Sequence, residues 1–373
     1  VCIGIQLDYD ETGPLPKQSK ATVAKRPVPT GKIGLGVIGT GQFTKGILLP
    51  ALMDTGRFGL VGVASAKGMS AKTVAERYRA RYGVAEADQV LDDADIDAVL
   101  ITTRHDSHAR YVLAALERGK HVFVEKPLAI TPHELEAVAR AARASSGTLT
   151  VGFNRRFSPM VQAAIGHFAD REEPLTMLYR VNAGRIPLTS EMGWVHDPVV
   201  GGGRIIGEAC HFVDVLQAVS GARPIDVSVM AANIHRADLA GDDTVSFSIA
   251  FDDGSVGSVH YWANGDPSFP KEHMEVFGGE RIAVMQNFSK LELVEKGRKT
   301  TKRSLNGDKG YAAEAKAFAE AIETGLASIS LDSQIDTTLV TFAVSAALRG
   351  EQQECPVSAP MAAEADEEVR ESA

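Results

Sequence analysis

The sequence predicts an α/β fold in two parts: a parallel sheet wrapped by helices, then an α+β domain carrying a large mixed or antiparallel sheet. The first part shows in strand-like apolar runs at Ile33–Ile38, Leu60–Ala64, Ala98–Thr102, His121–Val124 and Leu149–Gly152. Helical patterns separate them at Phe43–Met53, Ser70–Tyr82, His108–Arg118 and Pro132–Ala144. Strands alternating with helices at this spacing are joined by crossovers and so lie parallel. The glycine turn that ends the first strand, Gly39-Thr40-Gly41, makes the unit Rossmann-like. After Asn154 the alternation of elements gives way to alternation of residues. Val245, Phe247, Ile249 and Phe251 are apolar at every second position, and Asp252-Asp253-Gly254 reads as a hairpin turn into Ser255–Trp262.

A chain of 373 residues exceeds what one hydrophobic core fills, since cores stop growing at ~250 to 300 residues. The expected boundaries are 1–31 as a linker or remnant of an upstream segment, 32–153 as the dinucleotide domain, 154–350 as the α+β domain and 351–373 as a disordered acidic tail. Pro14, Pro16, Pro27 and Pro29 mark the linker, while Val1 to Leu7 look like the last strand of an upstream fused domain. A net charge of −9 with no basic stripe excludes a nucleic-acid surface. Cys2, Cys210 and Cys355 are scattered, with neither disulfide-framework nor zinc-thiolate spacing, which suggests a reducing cytoplasm. No apolar run approaches the ~20 residues that cross a bilayer, so no membrane role is expected.

The glycine turn gives the first candidate site. Gly39 and Gly41 let the backbone turn sharply and approach a pyrophosphate, whose charge the following helix N-terminus stabilises. The third glycine of the usual fingerprint falls on Thr44. The second strand ends Ala64-Ser65-Ala66-Lys67, where NAD-specific folds present a carboxylate to the ribose. Ser65 and Lys67 suit a 2′-phosphate, so NADP stands beside NAD, although Lys67 reads equally well as a solvated side chain.

A second site gathers on a helix expected from about Gly207 to Val219, with Gly221 as its stop. Phe212, Val215, Leu216 and Val219 form its buried stripe; at about 100° per residue Glu208 falls in that stripe and His211 on its flank. Their i, i+3 spacing lets the carboxylate orient the imidazole, and His211 is the expected base for a hydroxyl proton. Asn154, Arg155 and Arg156 sit at the domain junction, where an arginine would bind an anionic substrate or form an interdomain salt bridge. Trp194 and His196 offer a stacking face and a polar contact for a sugar ring, though Trp194 reads equally well as core. His105 and His108 share a spacing that suits metal, but no third ligand accompanies them, and no metal is expected.

These segments resemble the Gfo/Idh/MocA family, which includes glucose/fructose oxidoreductase and inositol dehydrogenase. The matches are Glu125-Lys126-Pro127, the run from Thr103 to His108, the run from Gly152 to Arg156, the Gly201 to Gly203 loop ahead of His211, and the Asp308 to Gly310 turn before Glu314 and Phe318. The resemblance implies that Lys126 lies beside the nicotinamide and bonds the reacting oxygen. It also implies that Gly39, Thr40, Gly41, Gln42 and Phe43 cradle the pyrophosphate, and that Thr103, His108 and Glu125 line the cofactor cleft. It implies NAD or NADP as cofactor, a sugar, cyclitol or nucleotide-sugar derivative as substrate, and homo-oligomers formed through the second sheet. The family often carries Asp four residues before this His and Gly two before; Gly207 and Ala209 stand there, with Glu208 between them. Two other readings keep the fold: a non-catalytic cofactor-binding module of a fused protein, and a redox-neutral NAD-assisted lyase or glycosidase.

Overall fold

The computed structural model describes residues 21–22, 31–66, 68–232 and 243–351. Lys67, the apolar N-terminal run and nearly all of the acidic tail lie outside the described residues. The first sheet contains β1 (Ala21–Thr22), β2 (Ile33–Ile38), β3 (Phe58–Ala64), β4 (Tyr82–Val84), β5 (Ala98–Ile101), β6 (His121–Val124) and β7 (Leu149–Val151). Its order is β1-β4-β3-β2-β5-β6-β7, parallel throughout except for β1, which pairs antiparallel with β4. Thus part of the expected linker adds an edge to this sheet. Strand order reverses between β2 and β5, so the loops leaving their carboxyl ends diverge and open a crevice.

The helix expected over Ser70–Tyr82 is shorter: α2 spans Gly68–Arg77. Arg79 takes a left-handed φ of 59° and breaks the helix. Tyr82 then enters β4 because β3 offers its ring a seat at Gly62, where an added Cβ would come within 2.4 Å of the ring. A tyrosine that fits helical spacing is thereby drawn into the sheet. The remaining helices of this half are α1 (Leu49–Asp54), α3 (Asp88–Leu91), α4 (His108–Leu116) and α5 (Pro132–Ala144). A reciprocal capping box between Thr131 and Glu134 starts α5.

The second half begins with α6 (Pro159–His167) and β8 (Thr176–Asn182), then α7 (Cys210–Ser220) and β9 (Pro224–Ala231). There follow β10 (Thr244–Phe251), β11 (Val256–Trp262), β12 (Glu272–Gly278), β13 (Arg281–Gln286), β14 (Lys290–Glu295) and β15 (Arg298–Arg303). The order β15-β14-β13-β12-β8-β11-β10-β9 is antiparallel but for the β8–β11 pair, so the sheet is mixed. Tyr179, Phe247, Val259, Tyr261 and Val276 are buried in one core with Phe212 and Leu216 of α7. Alternate positions leave Val256, Trp262 and Phe277 exposed. Among the described residues no helix is long and apolar enough to cross a membrane.

Two final helices, α8 (Tyr311–Thr324) and α9 (Leu331–Leu348), return to the first half. Gln334 of α9 accepts from Val151 N (2.7 Å) and donates to Leu149 O (3.2 Å), continuing the ladder of β7 with a side-chain amide. Phe318 of α8 stacks on Phe58 at 5.8 Å and meets Phe123 edge-on at 5.4 Å. A chain segment far beyond the parallel sheet therefore closes that sheet's core. Phe318→Ala is expected to destabilise the protein by about 3–5 kcal/mol in urea unfolding. A loss below about 1 kcal/mol would show that α8 is not needed to seal the first sheet.

Candidate active site

The turn after β2 is built for close backbone approach. Gly39 has φ +101°, and a Cβ there would lie 2.6 Å from the Thr102 carbonyl at the end of β5. Thr102 Oγ1 donates to Gly39 O (3.0 Å) and accepts from Thr44 Oγ1 (2.8 Å). Thr44, standing where a third glycine was sought, is buried and locks the turn through this bond. Gly41 faces open space, its nearest neighbour being Thr44 Oγ1 at 3.9 Å. The chain then enters a π-helical turn, Thr44–Leu48, with no side chain capping its start. These features fit a dinucleotide: the glycine leaves room for a pyrophosphate, and uncapped backbone N–H groups are left to bind it. Thr40 is turned to Ser70, its Oγ1 2.7 Å from Ser70 Oγ, and Ser65 lies outside the lining of the cleft.

From Gly41, Gln42, Phe43 and Thr44 a cleft of about 630 Å³ runs past Thr103, Glu125 and Lys126 to Glu208, His211 and Trp194. The structure thus brings Lys126 of the first half and His211 of α7 to one hollow. Lys126 Nζ donates to Gly207 O at 2.8 Å. Gly207 belongs to a second π-helical turn, Ile205–Ala209, entered through Gly202 and Gly203 at φ +72° and +81°. His211 is 6% exposed and its Nδ1 has no hydrogen-bond partner. Burial, and then the charges of Arg155, Lys126, Lys271 and Lys309, hold the imidazole well below its ordinary pKa. It is therefore a neutral ring.

Glu125 is pushed up to about 7 by burial, with Lys126 opposing the rise. Gly152 has no side chain because a Cβ there would meet Glu125 Oε1 at 2.8 Å. His108 lies with Nδ1 2.7 Å from Pro127 O and Nε2 3.2 Å from Thr103 O, linking the loops that follow β5 and β6. A neutral imidazole carries one N–H, so one of the two contacts is a hydrogen bond at a time.

Several sequence expectations need correction. Glu208 does not pair with His211. It accepts from Lys271 Nζ (2.6 Å), from Arg204 Nη2 (3.1 Å) and from the Tyr261 hydroxyl. Burial opposes its charge, but Lys271 and Arg204 outweigh that and hold the carboxyl well below the usual carboxylate range. The π turn changes the angular spacing between positions 208 and 211, which is why the 100° rule paired them wrongly. Arg155 lines the cleft, but its guanidinium is already paired: Nε and Nη2 meet Glu272 at 2.9 and 3.1 Å, and both residues are buried. Arg156 is likewise paired, with Asp214. His196 Nε2 is bonded to Ile186 O (2.9 Å) and lies outside the cleft lining.

Asn154 lines the cleft while donating to Lys309 O (2.8 Å). Trp194 lines it too, with the Arg104 guanidinium over its face at 5.3 Å and His105 edge-on at 4.9 Å. Sequence reasoning missed Lys271, Arg204 and Tyr311 as wall and support residues. Only Tyr311 carried a signal, following directly on the Asp308 to Gly310 turn. Behind the cleft Glu314 is fully buried with neither carboxyl oxygen hydrogen-bonded. Burial, then the neighbouring Glu125 and Asp214, raise its pKa well above the ordinary value.

Residues 33–153 match the family model described as "Oxidoreductase family, NAD-binding Rossmann fold", and residues 175–283 match the GFO/IDH/MocA C-terminal domain. The chain is 25% identical to the uncharacterized oxidoreductase YrbE of Bacillus subtilis (strain 168), over 69% of this chain and 75% of YrbE. It is 25% identical to inositol 2-dehydrogenase of Rhizobium meliloti (strain 1021), over 79% of this chain and 89% of that enzyme. Levoglucosan dehydrogenase, solved with NADH and levoglucosan, shares the fold at a TM-score of 0.72 and 23% identity, covering 86% of this chain and 98% of that one.

Glu314 makes a stability prediction. The folded state keeps a proton that the unfolded chain releases above the ordinary carboxylate range, so this group's contribution to stability falls as pH rises. Glu314→Gln, which cannot ionise, should gain stability over the parent between pH 5 and pH 8. The gain is about 1.4 kcal/mol for each pH unit over which the parent holds its extra proton. Thermal melts at the two pH values measure it, and an equal difference at both would remove the assignment.

Proposed function

Because the chain belongs to the Gfo/Idh/MocA family of oxidoreductases, we propose that it exchanges hydride with a secondary hydroxyl of a sugar, cyclitol or nucleotide-sugar derivative. The observation that carries this reading is the single cleft into which the glycine turn, Lys126 and His211 all open. Gly41 to Thr44 would hold the pyrophosphate of NAD or NADP, and Thr103 and Glu125 would flank its nicotinamide end. When bound, the nicotinamide supplies the hydride acceptor.

The protein's own residues manage the proton. His211, neutral because it is buried among cations, takes the hydroxyl proton as the carbinol C–H bond breaks and the C=O bond forms. Lys126, held by Gly207 O, has further N–H donors to offset the negative charge that develops on the oxygen. In the reverse direction the same environment makes protonated His211 a ready acid. Arg155 at the cleft wall and Lys271 behind it are committed to Glu272 and Glu208.

The carboxyl end of β3 runs Ala64-Ser65-Ala66 without a carboxylate, which favours tolerance of a 2′-phosphate; titration with both dinucleotides tests this. We further propose a homo-oligomer formed through the exposed face of the second sheet, where Val256, Trp262 and Phe277 show. In light scattering the parent should run as a dimer or larger, and Trp262→Glu should shift it toward monomer. A monomeric parent would end that proposal.

Lys126→Ala and His211→Asn are each expected to lower kcat by about 10²-fold or more with a polyol substrate. Cofactor affinity, read by nicotinamide fluorescence, should change far less. Full activity in both variants would overturn the assignment.

A further inference from the structure

His105 lies in the cleft between the two halves, yet neither hydride transfer nor the proton step uses it. It sits on the 3-10 turn after β5 and lines the hollow with Lys126, Glu208 and His211. Its Nδ1 is 2.8 Å from Gly201 O, across the domain boundary. A carbonyl oxygen only accepts, so Nδ1 carries the proton and Nε2 keeps its lone pair. Among the described residues Nε2 has no hydrogen-bond partner.

The ring's position depends on Gly207. A Cβ at 207 would come within 2.9 Å of His105 Cε1 and 3.3 Å of Nδ1, so the imidazole occupies the room where a side chain on that turn would begin. The edge-on contact with Trp194 at 4.9 Å holds it from the other side. Burial, with Lys126 adding to the effect, lowers its pKa to about 3, so the ring stays neutral at any working pH. The neighbouring acceptor, Glu208, is already taken up by Lys271, Arg204 and Tyr261.

We propose that His105 is a specificity-determining residue, whose Nε2 accepts a hydrogen bond from a second hydroxyl of the substrate, adjacent to the one oxidised. The inference rests on the dehydrogenase reading of this cleft and narrows its substrate class to compounds bearing a vicinal diol. A monodeoxy analogue lacks the hydroxyl that Nε2 would receive. Ammonium-bearing substrates meet Lys126 and Arg204 at the cleft wall and are disfavoured.

The test uses the full chain with added NAD and NADP, a panel of inositols and anhydro-sugars, and monodeoxy analogues of the best substrate. His105→Asn leaves an amide that can donate to Gly201 O but removes the acceptor at the Nε2 position, whereas His105→Gln places an amide oxygen near that position. His105→Asn should raise KM for the best polyol about tenfold, the loss of one hydrogen bond, with kcat within about threefold. It should leave KM for the monodeoxy analogue unchanged, and His105→Gln should recover part of the loss. An equal rise for polyol and deoxy analogue, or no rise, overturns the role of His105 while leaving the dehydrogenase reading intact. A parent that neither binds nor turns over any polyol overturns both.

Discussion

Arg155 and Glu272 form a two-bond ion pair between buried residues, and the cleft is organised around it. Arg155 follows β7, the last strand of the first sheet; Glu272 opens β12 of the second. Tyr179 and Lys309 complete the carboxylate's bonds at 2.8 Å each, so its buried charge is fully met. Removing one partner of such a pair typically costs 3–5 kcal/mol, because the other charge is left without compensation. The pair therefore fixes how the two sheets meet and, with that, where α7 carries His211. It also has an electrostatic consequence. Arg155 and Lys309 stand among the cations that keep His211 neutral, so the group joining the halves also sets the protonation state of the expected base.

What the sequence revealed follows the range of the interactions involved. The strands Ile33–Ile38 and His121–Val124 and the helix Pro132–Ala144 were legible to the residue. Their signals are local: apolar runs bounded by turns, and helical spacing. Tyr82 was misread because its reason for leaving helical spacing is the gap over Gly62 on a neighbouring strand. The site divides the same way. Glycine turn, Lys126 and His211 could be named from motif and position. The partner of Glu208 could not, since Lys271 lies 63 residues away and no periodicity encodes that meeting. Arg155 was left between substrate and salt bridge until Glu272, 117 residues on, decided it.

Two π-helical turns flank the cleft, one entering α1 and one entering α7. Such turns widen the helix and re-aim the side chains that follow, and they recur at functional sites. Thr44, in the first, points back to lock Gly39 through Thr102. Glu208, in the second, lines the hollow while its carboxylate bonds Tyr261 and Lys271 on the second sheet's side. Counting at 100° per residue fails at the second turn for this reason.

Position 207 shows how much a missing side chain can set. Its carbonyl receives the Lys126 ammonium, and its bare Cα admits the His105 ring. A carboxylate on this turn would have neutralised Lys126 and placed a negative acceptor beside the reacting oxygen. The adjacent carboxylate, Glu208, is instead absorbed by Lys271 and Arg204. Beside these paired charges, the cleft presents the uncharged imidazoles of His105 and His211 and the Lys126 side chain. That balance would favour an oxygen gaining negative charge over one held neutral. In the proposed reaction the electrostatics of the hollow, more than any one contact, would serve the step that forms an alkoxide.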